Sequence, residues 1–363
     1  MCAQEPANPG NDPRTANDRD HFDSAELSDV LHHYDLKAIL SAREFRRGSR
    51  RSAKLLIRTA EGAYLLKRRA PGRDDPARVA FAHELLMHLR SKQFPAPAPI
   101  MTRDAGDTFV RRGDRIYELL EFVDGEHYDA TLESTQSAGR FLAGFHHALA
   151  DFSAVHEPRR RGLPLEQLVL RELNEIPTTI SSHDSVVGKQ AELLSCTQEL
   201  YERYEEAAGV IRAAGGEGWP AEIVHGDWHP GNMLFKDHRV CAVLDFDSVG
   251  RLPRVLDVAT GMLQFSILRA GDQPESWPDF FDSTRMRRFL MGYESAVALG
   301  AAPKGALVEL MIESLIANSV HPVATTGSLG ALPGFGVLQM VRRKVRWLVQ
   351  NGEMLRRWIS GSA

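Results

Sequence analysis

Apolar residues along this chain recur with two different periods, and the switch between them divides it. The opening MCAQEPANPGNDPRTANDRD offers almost nothing to bury, so its ordering entropy would go unrepaid, and residues 1–23 are expected to form a disordered tail. SAELSDVLHHYDL then puts Leu27, Val30 and Leu31 at helical spacing, with Ser24 as the N-cap. AREFRRGSRRSAKLLIRT and AYLLKRR are two runs able to pair as antiparallel strands about the turn signal Glu61-Gly62. DDPARVAFAHELLMHLRS has Asp75 as N-cap and Pro76 in the first turn, and its apolar residues occupy more than one face, which predicts a buried helix. After a Pro-Ala alternation over residues 95–99, DTFVRR and DRIYELLEFV read as two more strands. Beyond Asp124-Gly125 the long segments carry the helical period, from SAGRFLAGFHHALADF to LQMVRRKVRWLVQNGEMLRRWI. The pattern therefore predicts an α+β chain, with a small antiparallel-sheet lobe and one main helix over residues 24–123 and a larger, mostly helical lobe over residues 124–363.

Composition narrows the partners. A length of 363 residues exceeds what one small core absorbs, in keeping with two lobes. The chain is 43% hydrophobic and 25% charged, and a formal net charge of -4 gives no general pull toward nucleic acid or anionic membrane. Cys2, Cys196 and Cys241 are too few and too scattered for a disulfide framework, which favours a reducing compartment, the cytoplasm by default. Neither a signal peptide nor an uninterrupted apolar run near the roughly 20 residues of a membrane span is visible. The basic stretches RRKVRWLVQ and PRRRG, around Arg159, read as solvated surface rather than a binding platform, and Val341, Val345 and Leu348 as core contacts of a closing helix. Oligomeric state is not encoded in any of these features.

HGDWHPGNMLF, residues 225–235, concentrates more chemistry than a turn requires. Asp227 precedes Asn232 by four intervening residues, the spacing in which a kinase loop uses an acid to orient an attacking hydroxyl and an amide to hold a metal ion. Downstream, AVLDFDS sets Asp245 after a short strand-like run, where its carboxylate would meet Asn232 across a hairpin. Carboxylate and amide oxygens suit magnesium, the hard cation that neutralises nucleotide phosphates. A plain Pro230-Gly231 turn would leave Asp245 unexplained.

With HGDWHPGN followed by LDFD, the chain resembles the aminoglycoside phosphotransferase family, whose members share the bilobal protein-kinase-like fold; the likeness covers roughly residues 34–266. Within that family it looks closest to bacterial small-molecule kinases grouped with type II homoserine kinases and spore-coat kinase-like proteins. The resemblance implies ATP and Mg2+ as cofactors, Asp227 as catalytic base, Asn232 and Asp245 as metal ligands, and His225 as a packing residue that steadies the loop. Asp247 stands where protein kinases have glycine, and it could touch substrate or metal or cap a turn. Asp257 falls where the family has an acid that hydrogen-bonds back to the catalytic loop, although an ordinary acid at a helix N-terminus reads equally well.

The nucleotide side is written less sharply. RRGSRRSAK keeps Gly48 and Ser49 as phosphate contacts through backbone N–H and hydroxyl groups, without a full glycine-rich loop; a solvated basic turn is the competing reading. Lys67 ends AYLLK in the place of the strand-three lysine, with Lys54 as its rival. Glu84, set among Phe81, Leu85 and Leu86, needs a cation, and pairing with Lys67 would satisfy both. YELLEFVDG matches the family's hinge, so the resemblance implies adenine hydrogen bonds to the backbone of Glu121 and Val123.

The expected activity is transfer of the ATP γ-phosphate to a hydroxyl of a small metabolite. A serine/threonine protein kinase and a silent nucleotide-binding pseudokinase are the alternatives. A zinc cluster of His146, His147, His225 and His229 is disfavoured because adjacent histidines diverge on a helix. Homoserine, an amino sugar, an N-acetylhexosamine and choline all stay open as acceptor, with Glu294, Glu309, Glu313, Arg251 and Arg254 as residues that could select it.

Overall fold

The computed structural model describes residues 20–46, 52–103, 106–155, 157 and 165–361. It divides into two compact units, one running to His83 and resuming over Pro97–Val123, the other comprising Glu84–Ala96 and Asp124–Ala363.

The first unit holds α1 (Ser24–His32), β1 (Ile39–Glu44), β2 (Lys54–Thr59), β3 (Ala63–Arg68), the start of α2 (Pro76–Ser91), β4 (Val110–Arg112) and β5 (Arg115–Glu121). The strands form one antiparallel sheet in the order β1-β2-β3-β5-β4. Ile57, Leu66, Val110, Tyr117 and Leu119 from the sheet pack with Val30 and Tyr34 beneath α1. Asp75 caps α2, accepting from Ala77 N at 3.0 Å ahead of Pro76.

The start of the chain differs from the sequence expectation. Asp23, not Ser24, is the N-cap of α1: its carboxylate accepts from Glu26 N at 2.7 Å, while Glu26 accepts from Asp23 N at 3.3 Å. Residues 20–22, assigned above to the tail, are engaged. Arg68 is 4% exposed and pairs with Asp20 and Glu26, donates to His21 O and lies over the Phe22 ring. A buried guanidinium needs anions, and this short segment supplies one. Residues 1–19 lie outside the described residues.

The second unit contains α3 (Leu132–Ala148), α4 (Leu165–Thr179), α5 (Gln190–Ala213), β6 (Glu222–Val224), β7 (Met233–Lys236), β8 (Arg239–Val243), β9 (Gly250–Leu252) and α6 (Val255–Ser266). It continues with α7 (Ser283–Glu294), α8 (Ala301–Gly305), α9 (Leu307–Thr326), β10 (Ser328–Leu329), β11 (Leu332–Pro333), α10 (Gly334–Gln350) and α11 (Gly352–Ser360). α3 and α7 meet backbone to backbone: a methyl at Gly139 would overlap the carbonyl of Phe289, and one at Gly292 that of Gln136. α9 has the length and hydropathy of a membrane span, but 61% of its apolar window is buried inside the unit, where it packs on α4, α5, α6 and α10. Glu309, Glu313 and His321 interrupt its apolar run, which is why the sequence does not read as a span.

Two small pairings frame the stretch of interest. β6 pairs with β9, Val224 opposite Gly250. β7 and β8 form a hairpin from Met233 opposite Val243 to Lys236 opposite Arg239. Its two-residue turn, Asp237-His238, has φ of 48° and 59°, the primed turn that matches strand twist.

Candidate active site

Residues 225–232 run from the end of β6 to the start of β7, so a strand anchors each side of the loop. Between them the chain is pinned from below. Asp257, 2% exposed in the first turn of α6, accepts from His225 N at 2.7 Å with Oδ2 and from Gly226 N at 2.9 Å with Oδ1. His146 Nε2 lies 3.2 Å from the same Oδ2, and Tyr293 Oη lies 3.0 Å from His146 Nδ1. A Tyr293–His146–Asp257 chain thus ties α7 and α3 to α6 and the loop. The His225 ring is fully buried, accepts from Asp227 N at 3.3 Å and donates to Leu244 O at 3.1 Å. Burial lowers its pKa despite the nearby carboxylates of Asp257 and Asp227. Gly226 has φ of 76° and abuts Ser248 O so closely that a side chain there would overlap it. Trp228, wholly buried against Phe145 at 5.7 Å and His225 at 5.4 Å, plugs the loop into the core.

Above this footing, Asn232 Nδ2 donates to both Asp227 O and Asp227 Oδ2 at 3.0 Å each. With its amide nitrogen so committed, Asn232 Oδ1 is the atom left for a ligand. Leu244 N donates to Asn232 O at 2.8 Å, which brings Asp245, the next residue, beside Asn232 at the open end of the hairpin. Asp245 is exposed, its carboxylate has no hydrogen bond or ion pair among the described residues, and its backbone is left-handed at φ 61°. A non-glycine residue held there stores strain of the kind found at functional positions. Asp227 is half-buried; burial alone would raise its pKa, but the hydrogen bond and charge of His229, with His225 and Asn232, bring it below the ordinary value. Two hard oxygen donors, an amide carbonyl and an unpaired carboxylate, fit a divalent cation such as magnesium. Among the described residues no three His, Cys, Asp or Glu side chains gather as a metal cluster. Asp247 sits in the 3-10 turn after Asp245, half-buried.

In the first unit, Lys67 stands opposite Glu118 in the β3–β5 ladder, Nζ 3.3 Å from Oε1. Glu118 is 1% exposed and also receives Arg69 Nη2 at 3.0 Å and His83 Nε2 at 2.8 Å on Oε2. Sequence reasoning missed Glu118; the signal available was its place on the same strand face as Leu120. Glu84 belongs to the second unit, where it accepts from Val155 N at 2.9 Å. Glu121 N donates to Ala98 O at 2.9 Å, and Val123 closes the unit. Gly48 and Ser49, like Arg159, lie outside the described residues.

Of the residues considered for acceptor selection, four have local ion-pair partners: Arg251 with Glu157, Arg254 with Glu222, Glu294 with Lys304 and Glu309 with Arg356. The pKa of Glu313 is pushed up to about 7 by burial, helped by the charge of Glu166 and opposed by Arg212.

The chain is similar to known proteins in sequence and in fold. The phosphotransferase enzyme family matches residues 41–294. A homoserine kinase of Xanthobacter autotrophicus is 27% identical over 289 residues, 79% of this chain and 81% of that protein. The microcompartment-associated aminopropanol kinase superposes with TM-score 0.66 at 18% identity, covering 92% of this chain and 99% of its own. Amicoumacin kinase in complex with AMP-PNP and Ca2+ superposes with TM-score 0.65 at 13% identity, covering 91% and 94%. The fold is α+β and protein-kinase-like. With the family's pattern spanning most of its length, the chain belongs to the phosphotransferase enzyme family.

Proposed function

We propose that the protein transfers the γ-phosphoryl group of ATP to a hydroxyl of a small metabolite in the cytoplasm, with small amino alcohols as the first acceptors to examine. The observation that carries this reading is the arrangement around Asp227: Asn232 spends its amide nitrogen on that carboxylate and keeps its oxygen for a ligand, beside the Asp245 carboxylate, which has no partner among the described residues. The similarity to a homoserine kinase and to an aminopropanol kinase supports the acceptor class, since both names denote a small molecule with an amine and a hydroxyl.

In this reading Asp227 aligns the acceptor hydroxyl and takes its proton as the new oxygen–phosphorus bond forms. Asn232 Oδ1 and Asp245 would hold magnesium, which when bound supplies positive charge against the phosphate oxygens. Lys67, kept in place by Glu118, offsets charge on the nucleotide phosphates, and the backbone of Glu121 and Val123 takes the adenine edge. No nucleophile of the protein's own is required; positioning and charge neutralisation provide the acceleration.

The test is ADP formation by the purified full-length protein with magnesium and ATP over a panel of L-homoserine, 1-amino-2-propanol, choline, an N-acetylhexosamine and an aminoglycoside. Turnover dependent on one small acceptor is the expected result. Phosphate incorporation into lysate proteins with no small acceptor consumed would replace this reading with a protein kinase, and ATP binding without consumption with a pseudokinase.

A further inference from the structure

We propose that His229 is a positioning residue that orients the Asp227 carboxylate so that Oδ1 alone is presented to the acceptor hydroxyl; this rests on the reading of Asp227 as the base. His229 opens the 3-10 turn Pro230–Asn232 in extended conformation, and its Nδ1 accepts the Gly231 N–H at 2.9 Å. A nitrogen accepting that bond carries a lone pair, so the ring hydrogen sits on Nε2. Nε2 lies 3.4 Å from Asp227 Oδ2. The same Oδ2 receives Asn232 Nδ2 at 3.0 Å. Oδ2 therefore faces two donors from its own loop, while Oδ1 has no partner among the described residues.

The sequence builds this device locally. Trp228 turns into the core, so its neighbours Asp227 and His229 are left together on the other side of the chain. Gly231 keeps the imidazole in place by having no side chain: a Cβ there would stand 2.7 Å from His229 Cε1 and 3.0 Å from Nδ1. The ring shields one side of the carboxylate and leaves the other open. As the acceptor oxygen bonds to phosphorus and the bond from phosphorus to the ADP oxygen breaks, the hydroxyl proton passes to Oδ1, yielding a phosphate ester, ADP and a proton later released to solvent. A carboxylate free to rotate would present either oxygen, with its productive orientation populated only part of the time.

Two measurements on the full-length protein decide it. In 15N-histidine-labelled protein, the resonance assigned by its loss in His229→Gln should report hydrogen on Nε2 and a hydrogen-bonded lone pair on Nδ1, and Gly231→Ala should abolish that signature; hydrogen on Nδ1 in the unmodified protein overturns the proposal. In kinetics with magnesium, ATP and L-homoserine, or water as acceptor if homoserine is not taken, His229→Phe should lower kcat about ten- to a hundredfold with KM for ATP unchanged. His229→Gln, which keeps an N–H near the position of Nε2, should recover most of the loss. Wild-type kcat in His229→Phe alongside an inactive Asp227→Asn sinks this inference alone, whereas full activity in Asp227→Asn removes the reading of the base itself.

Discussion

Lys67 and Glu118 face one another across adjacent strands, Nζ 3.3 Å from Oε1 of a carboxylate that also holds Arg69 and His83. Removing that carboxylate takes a shared buried anion from three basic groups, on β3, just after it and on α2. Glu118→Gln should therefore lower the unfolding free energy by about 3–5 kcal/mol in urea titration. Burial alone would raise the pKa of Glu118, but the charges of Arg69 and Lys67 and the bond to His83 hold it well below 4.5. The unfolded chain thus binds this proton more readily. The contribution of Glu118 is complete above pH 4.5 and is lost as the pH falls toward the lower folded value, so the gap between wild type and Glu118→Gln should narrow there.

In the proposed mechanism Asp227 serves chemistry and Asp245 serves binding, and substitution separates the two. Asp227→Asn should reduce turnover by about two to four orders of magnitude while magnesium-ATP still binds. Asp245→Ala should instead weaken magnesium-nucleotide binding itself, read as loss of the magnesium-dependent thermal shift given by ATP. Equal nucleotide affinity in Asp245→Ala and wild type would contradict the assignment.

Asp257 uses its two oxygens on two different backbone N–H groups, those of His225 and Gly226. Asparagine offers one acceptor, so Asp257→Asn turns an NH2 toward one of them. A stability loss of about 1–3 kcal/mol by thermal unfolding, with a fall in kcat, is expected. Tyr293→Phe spares both bonds and should cost about 1 kcal/mol, with kcat less affected.

Lys344 is buried in α10, donates to Pro278 O at 2.8 Å and lies 4.7 Å over the Phe281 ring. Burial lowers its pKa from 10.5 to about 8. The folded protein releases this proton first, so stability should rise with pH between about 8 and 10.5 relative to Lys344→Met, a trend that unfolding at several pH values will reveal. A flat difference would mean that the ammonium is not strained by its surroundings.

What the sequence made legible was local. Asp227, Asn232 and Asp245 come together because they belong to one loop and the hairpin that follows it, where spacing in sequence is nearly spacing in space. The antiparallel sheet and the helical remainder were readable from the change of period for the same reason. Glu118 was not, because its meeting with Lys67 depends on β3 pairing with β5 rather than with its sequence neighbour β4. Likewise His146 and Tyr293 reach Asp257 only through the packing of α3, α6 and α7. The shift of the α1 cap from Ser24 to Asp23 is a choice between two adjacent capping residues, decided by the reciprocal bond that Glu26 can make only to Asp23.

The meeting of α3 and α7 at Gly139 and Gly292 is a keyed joint. To slide one helix along the other, a carbonyl would have to ride over main chain with no compressible side chain between. The spacing of His146 and Tyr293, which sit on these same helices, is thereby set by bare peptide rather than by residue size. Outward positions on both helices are free to drift, and the molecular surface with them, without retuning the loop; the two glycines are where such drift must stop.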